Sequence, residues 1–147
     1  MKFERQQTVR FAHCDPAGIV YFPQYLVMLT ALVEAWFDRG LQIPYADLVM
    51  RRRVGLPTVR LQVDFTAVSR LGDELTQSLV VAHVGHSSLH LHSEFHGVPA
   101  GASPGTEREL RMRCRQVVVC TSLDDHRPRP LPDDIRAALP PYTEPAK

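Results

Sequence analysis

Phe22-Pro23-Gln24-Tyr25-Leu26-Val27-Met28-Leu29-Thr30-Ala31-Leu32-Val33-Glu34-Ala35-Trp36-Phe37-Asp38-Arg39-Gly40 decides the architecture. Phe22, Tyr25, Leu26, Leu29, Val33, Trp36 and Phe37 recur at helical spacing. The opposite side still carries Val27, Met28, Ala31 and Ala35, leaving Gln24, Thr30, Glu34 and Asp38 as a thin polar stripe. Pro23 suits the first helical position, where its missing N–H would have had no partner. Gly40 is the expected stop. A helix from Pro23 to about Arg39 would run roughly 25 Å at 1.5 Å per residue. Apolar over most of its circumference, it reads as a buried helix. In a chain of 147 residues, which suits one core, a sheet must wrap it.

The flanking sequence supplies that sheet. Residues 5 to 12 read as a first strand on Thr8, Val9 and Phe11. Pro44 to Met50 reads as a short helix. Thr58 to Phe65 alternates, with Val59, Leu61, Val63 and Phe65 on one face and Arg60, Gln62 and Asp64 on the other. Three more strands are expected over Glu74 to Val84, Ser88 to His96 and Glu107 to Thr121, with Gly85-His86-Ser87 turning one hairpin and Gly97 to Gly105 forming a longer loop. One strand, one buried helix and four antiparallel strands make an α+β domain. A single domain over residues 1–147 is expected, with a core of about 3–123 and a tail of 124–147. Pro128 to Lys147 holds half of the 12 prolines, with a turn of helix expected at Asp133 to Leu139.

Bulk properties narrow the function classes. Net charge is +1, which offers no general attraction to nucleic acid or anionic lipid. Met1 to Arg5 contains no apolar run, so no secretory leader is expected there. The apolar segment from 25 to 37 is interrupted by Thr30 and Glu34 and is too short to span a bilayer. Three cysteines without metal-like spacing favour free thiols in a reducing cytoplasm.

Directly before the apolar segment stands His13-Cys14-Asp15-Pro16-Ala17-Gly18-Ile19-Val20-Tyr21. Gly18 permits positive φ and close approach of a ligand. The amides of Tyr21 and Phe22 lie at the helix start, where N–H groups lack intrahelical partners and the helix dipole is positive. A carbonyl oxygen held there would be stabilised as it gained charge in acyl transfer. Asp15 could attack the acyl carbon or deprotonate a water that does. Asp-Pro pairs usually form turns, and the local pattern alone favours a capping role for Asp15 over a catalytic one. Cys14 adjoins Asp15, but neighbouring residues point apart, which disfavours a Cys/His nucleophile pair.

Other clusters read as surface. His90, His92 and His96 share a strand face with Glu94, yet no spacing dictates a third metal ligand, so no metal is expected. Arg111, Arg113 and Arg115 are expected on one exposed face, and Arg51 to Arg53 form a short run. Glu34 on the polar stripe would face an arginine, water, a site or a subunit contact.

The loop and its surroundings resemble the 4-hydroxybenzoyl-CoA thioesterase family of hotdog-fold enzymes. The likeness rests on His13 to Val20, Phe22-Pro23, Tyr25, Val54-Gly55-Leu56-Pro57, Asp64-Phe65 and Gly72-Asp73-Glu74-Leu75. It runs from about Thr8 to Thr121. The resemblance implies a long helix wrapped by an antiparallel sheet, and subunits that pair their sheets into dimers or tetramers with active sites at the dimer interface. It also implies hydrolysis of an acyl-CoA thioester without any cofactor. By position, Asp15 would be nucleophile or general base and the Phe22 backbone amide would polarise the thioester carbonyl. His13, Gly18, Val20, Tyr21 and Tyr25 would line the site, with Thr58, Val59 and Arg60 supplied by a partner subunit and His86 from the strand turn. The turn Gly85-His86-Ser87-Ser88 carries no Arg or Lys, where the hydroxybenzoyl branch has a basic cluster. CoA phosphates would then meet Arg70 or Arg51 to Arg53. Thr30 stands where that branch has a helix acid for the substrate phenol. The resemblance thus implies acyl-CoA hydrolysis, on an aromatic or short acyl group, without implying the 4-hydroxybenzoyl group itself. A non-catalytic acyl-CoA or acyl-carrier binding module is the alternative on the same fold. A hotdog dehydratase would place a histidine on the helix, and Pro23 to Arg39 has none.

Overall fold

The computed structural model describes residues 1–145; Ala146 and Lys147, the end of the expected tail, lie outside the described residues. The apolar run forms helix α1, Phe22–Ala35, about 21 Å long. Tyr25, Met28, Leu29, Leu32 and Val33 turn inward, and Leu32 is fully buried. Phe22, Val27, Thr30 and Glu34 stay exposed, so the sheet wraps one side of the helix rather than its whole circumference.

The expected stop is displaced. The helix widens into a π turn over Trp36–Leu41 that runs through Gly40, and Gln42 takes the left-handed conformation at φ 58 instead. Gly40 is small for packing reasons. A Cβ there would lie 2.8 Å from Trp36 Cδ1 and 3.2 Å from Phe3 Cδ1.

Strands β1 (Phe3–Thr8), β3 (Thr58–Phe65), β4 (Glu74–Val84), β5 (Ser88–Val98) and β6 (Glu109–Val119) form an antiparallel sheet in the order β1-β4-β5-β6-β3. The expected first strand ends early, and Phe11–His13 closes into a 3₁₀ turn. Helix α2 (Tyr45–Met50) and the short pair β2 (Val54–Gly55) with β7 (Thr121–Ser122) complete the first layer of connections. The sheet is curved around α1 with its alternate residues inward: Leu75 and Leu79, Leu89, Leu91 and Phe95, Met112 and Val118. At about 25 cal/mol per Å² of apolar surface, this layer is the main favourable term of the fold.

Strand β3 departs from its expected pattern. Val59, Leu61 and Phe65 are 61%, 42% and 48% exposed. The strand sits at the sheet edge, paired on one side only. Alternation fixes which residues share a face but not whether anything covers that face.

Strand β6 also departs. Phe95 pairs with Met112 but His96 pairs with Leu110, so Arg111 is the extra residue of a β-bulge. Arg113 and Arg115 remain exposed, whereas Arg111 is 4% exposed and points inward. The expected common face of the three arginines is therefore broken by the bulge, which re-aims one side chain.

The proline-rich tail packs rather than wanders. Helix α3 (Asp133–Ala138) buries Ile135 between Leu131 and Leu139. Arg136 Nη2 donates to the carbonyls of Gly85 (2.9 Å) and His86 (3.1 Å), fixing the β4–β5 turn.

Candidate active site

The Asp15 loop is a tight crossover held by backbone bonds. Asp15 N donates to Ile19 O (2.9 Å), Gly18 N to Asp15 O (3.0 Å) and Tyr21 N to His13 O (3.0 Å). Gly18 takes φ 77, the conformation that its lack of a Cβ makes inexpensive. The loop is in turn zipped onto residues 68–73. Val20 N donates to Ser69 O (2.9 Å) and Leu71 N to Gly18 O (2.9 Å), and Ile19 bridges Arg70.

The turn role of Asp15 is real. Its Oδ1 accepts from Ala17 N (2.9 Å) and, more weakly, Ile19 N (3.4 Å). This uses one carboxylate oxygen. Oδ2 has no hydrogen-bond partner among the described residues, so a capping carboxylate still presents a free anionic oxygen. The two sequence readings are thus compatible.

At the helix start the two expected donors separate. Tyr21 N–H is consumed by His13 O, contrary to the expectation that it is unpaired. Phe22 N–H, at the first helical position, has no partner among the described residues, and Pro23 has no N–H. Gln24 N–H folds back on Tyr21 O (2.8 Å). Phe22 N–H is therefore the free donor at the positive tip of α1, seven positions after Asp15 in a loop closed by the Cys14–Val20 bridge.

Beside that tip opens a cavity of 320 Å³ lined by Ile19, Val20, Phe22, Tyr25, Phe65 and Val68 among others. Phe65 brings three aromatic rings together. Its centroid lies 6.0 Å from Phe22 and 5.6 Å from Tyr25. Burial pushes the Tyr25 phenol up from its ordinary pKa, keeping it protonated, and it donates to Ser69 Oγ (2.8 Å).

His13 serves the loop through its ring: Nδ1 accepts from Arg10 N (2.9 Å). Burial, then the charges of Arg10 and Arg5, lower its pKa, so the neutral ring that can accept is favoured. Cys14 Sγ donates to Arg10 O (3.4 Å), and burial followed by the charge of Asp15 raises its pKa, which leaves it a poor nucleophile.

Thr58, Val59, Arg60 and His86 lie elsewhere in the chain's own fold. Arg60 is about 17 Å along β3 from Phe65, at 3.4 Å per residue. His86 sits in the turn beyond Val84, and β4 carries the chain about 34 Å from Glu74 to that end. Arg51, Arg52 and Arg53 are engaged with Asp47 (2.6 Å), Asp134 (2.7 Å) and Asp124 (3.2 Å), which weakens them as phosphate anchors. Arg70 has no ion-pair partner among the described residues. Thr30 Oγ1 back-bonds to Leu26 O (3.1 Å). His83 and His90 stack edge to face on the outer sheet face (5.1 Å), and no group of three metal-ligating side chains converges among the described residues. No helix among them is long and apolar enough to cross a membrane.

Sequence reasoning missed a buried polar group behind the loop. Arg111 Nη1 donates to Asp73 Oδ2 (2.7 Å), Val68 O (3.0 Å) and Ser69 Oγ (3.2 Å). In the sequence Asp73 stands out only as part of Gly72-Asp73-Glu74-Leu75. Regular alternation hid Arg111, and no sequence signal marks the bulge that buries it.

The chain matches the family model described as the thioesterase-like superfamily over residues 9–139. It is 31% identical over 125 residues to 4-hydroxybenzoyl-CoA thioesterase of Pseudomonas sp. strain CBS-3, covering 84% of this chain and 86% of that protein. It is 27% identical over 137 residues to 1,4-dihydroxy-2-naphthoyl-CoA hydrolase of Synechocystis, covering 93% and 92%. The solved structure of the Pseudomonas enzyme superposes with a TM-score of 0.81 at 26% identity, over 93% of this chain and 98% of that one. With a helix wrapped by a five-stranded antiparallel sheet and a family match over most of its length, the chain belongs to the thioesterase-like superfamily, the thioester hydrolases of the hotdog fold.

Proposed function

We propose that this protein is an acyl-CoA thioesterase that hydrolyses an aromatic or short-chain acyl-CoA to the carboxylate and free CoA, with Asp15 as nucleophile or general base. The observation that carries the reading is that one short loop, closed by the Cys14–Val20 bridge, bears a carboxylate oxygen without a partner and leads into the free Phe22 N–H beside an aromatic-lined cavity. The thioester carbonyl oxygen would accept from Phe22 N–H, a donor already oriented by the helix and so requiring little reorganisation as charge develops. As nucleophile, Asp15 adds to the carbonyl carbon, the C–S bond breaks, and the resulting anhydride is opened by water. As base, Asp15 takes a proton from the water that adds. Both routes leave a carboxylic acid and a thiol.

Two observations support the acyl class. Phe22, Tyr25 and Phe65 offer edges and faces to a flat group, an arrangement aromatic rings favour. The relatives are named for aromatic CoA thioesters. Thr30, a hydroxyl tied to its own helix, offers no acid to a substrate phenol.

The reading includes a homodimer through β3. An eight-residue edge strand with three exposed apolar side chains is a pairing surface that a lone protomer leaves open. Two copies related by a two-fold axis through the middle of β3 would set residue 58 of one beside residue 65 of the other. Thr58, Val59 and Arg60 of a second copy would then reach the Phe65 side of the cavity.

A panel of aromatic, short aliphatic and long-chain acyl-CoAs, assayed for thiol release, tests the proposal. Turnover concentrated on aromatic or short members is expected. Tight binding with no thiol released from any member would replace the enzyme by a binding module.

A further inference from the structure

Arg111 is placed by three coincident features. The bulge in β6 turns it from the outer face of the sheet to the inner one. Gly97 on β5 leaves room for its guanidinium, since a Cβ there would lie 2.9 Å from Arg111 Cζ and 2.9 Å from Leu75 Cδ2. Asp73, itself 6% exposed, meets it at 2.7 Å. A buried guanidinium and a buried carboxylate each carry a large desolvation cost, and such a pair is often no more stable than apolar side chains of the same size. Stability alone is therefore a weak reason for it.

The bonds of the pair lead to the site. Arg111 Nη1 also holds Val68 O and Ser69 Oγ, and Asp73 Oδ2 also accepts from Arg70 N (2.9 Å). Residues 68, 69, 70 and 73 are thereby clamped to one guanidinium. This strap is the rail to which the Asp15 loop is zipped, through Val20 N to Ser69 O, Leu71 N to Gly18 O and the Ile19–Arg70 bridge. From Ser69 Oγ the network continues to the Tyr25 hydroxyl, one turn into α1 from Phe22. One side chain thus ties both the loop bearing Asp15 and the helix tip bearing the free amide.

We infer that Arg111, acting through Asp73 and Ser69, is a positioning residue that fixes Asp15 relative to the Phe22 amide. The inference rests on the thioesterase reading for its kinetic consequence, but not for its structural one. Arg111 touches no substrate. All three bonds leave from Nη1, while Nε meets Glu109 Oε1 (3.0 Å); a lysine stem ends one bond short of Nη1, so its ammonium keeps the charge without reaching the same acceptors.

Arg111→Lys, Ser69→Ala and Gly97→Ala test it together, each examined for kcat, KM, thermal melting and amide hydrogen exchange. Ser69→Ala keeps the ion pair and breaks the link to Tyr25; Gly97→Ala keeps every charge and displaces the guanidinium. Misplacement of reacting groups by about 1 Å costs on the order of 100-fold in rate. Arg111→Lys is expected to lose about that much in kcat with KM within about twofold, and the other two about tenfold. Exchange at Val20 and Leu71 is expected to accelerate while the rest of the sheet stays protected. Folded variants with wild-type kcat, or a loss lying wholly in KM, would overturn the inference. So would unchanged exchange at Val20 and Leu71. If Arg111→Lys fails to fold, the other two variants decide the matter by the same criteria. If the wild-type protein hydrolyses no thioester, the proposed function has failed, and the exchange measurement still shows whether Arg111 holds the loop.

Discussion

Replacing Asp15 by Asn separates the two roles that the structure gives one side chain. Oδ1 accepts from Ala17 N and Ile19 N, and an asparagine carbonyl oxygen can occupy the same place. The change weakens two charge-assisted bonds to neutral ones, a cost of at most about 1 kcal/mol. For a chain of this size that lowers Tm by roughly 2–4 °C. The other oxygen loses its charge and its basicity. A general base contributes about 10²–10⁴ in rate, equivalent to about 2.7–5.4 kcal/mol of barrier. Asp15→Ala removes the cap as well and is expected to cost a further 1–2 kcal/mol of stability, by roughly the magnitude of a lost capping side chain. The assay pairs thiol release from the best acyl-CoA of the panel with a thermal melt. The expected result is an Asn variant that melts close to wild type and turns over at least about 100-fold more slowly. Retention of most of kcat by the Asn variant would refute the catalytic role. A Tm as low as that of the Ala variant would refute the claim that the cap survives.

Four further outcomes are expected. Phe22→Pro removes the free amide at a position where proline is tolerated, while Phe22→Ala keeps it; the proline variant should be about 10²–10³ slower than the alanine one, and equal kcat values would remove the amide from the mechanism. Leu32→Ala empties a fully buried position on α1 and should cost about 2–5 kcal/mol in a denaturant titration; a loss under 1 kcal/mol would mean that the helix is not packed as described. His13 should titrate below the ordinary histidine value of 6.5 in an NMR pH series, because burial and two arginines disfavour its charged form; stability from this group is then present above 6.5 and lost as acid protonates the ring, and a titration at or above 6.5 would contradict this. Burial raises the Cys114 thiol to about 11 from 9.0, so the unfolded chain loses that proton first and stability falls as pH rises from about 9 to about 11, by about 1.4 kcal/mol per unit at most. Cys114→Ala should flatten that alkaline decline of Tm, and an unchanged slope would show that other groups cause it.

Local chemistry and periodicity determined much of this protein on their own. The crowded apolar run of α1 demanded a partner surface, and the alternating strands after it could supply one, so the helix-in-sheet arrangement was legible before any coordinates. The Asp15 loop was legible as well, because its Gly, Pro and Asp residues act within a few positions of one another and its motif resembles one family. Three features depended on residues far apart in the chain. Tyr21 lost its free amide to His13 O across the loop, which left Phe22 as the donor. Strand β3 lay at an edge, with its register against β6 shifted at Val59, since strand order and register are set by long-range pairing rather than by the strand's own residues. Arg111 looked like one of three surface arginines until a single extra residue in the β5–β6 register turned it inward onto Asp73, 38 positions away in sequence. A period of two makes every strand assignment sensitive to one inserted residue. The chain's residues therefore specify the helix, the strands and the loop carboxylate, while the sheet register, visible only in the folded chain, decides which side chains stand behind that carboxylate.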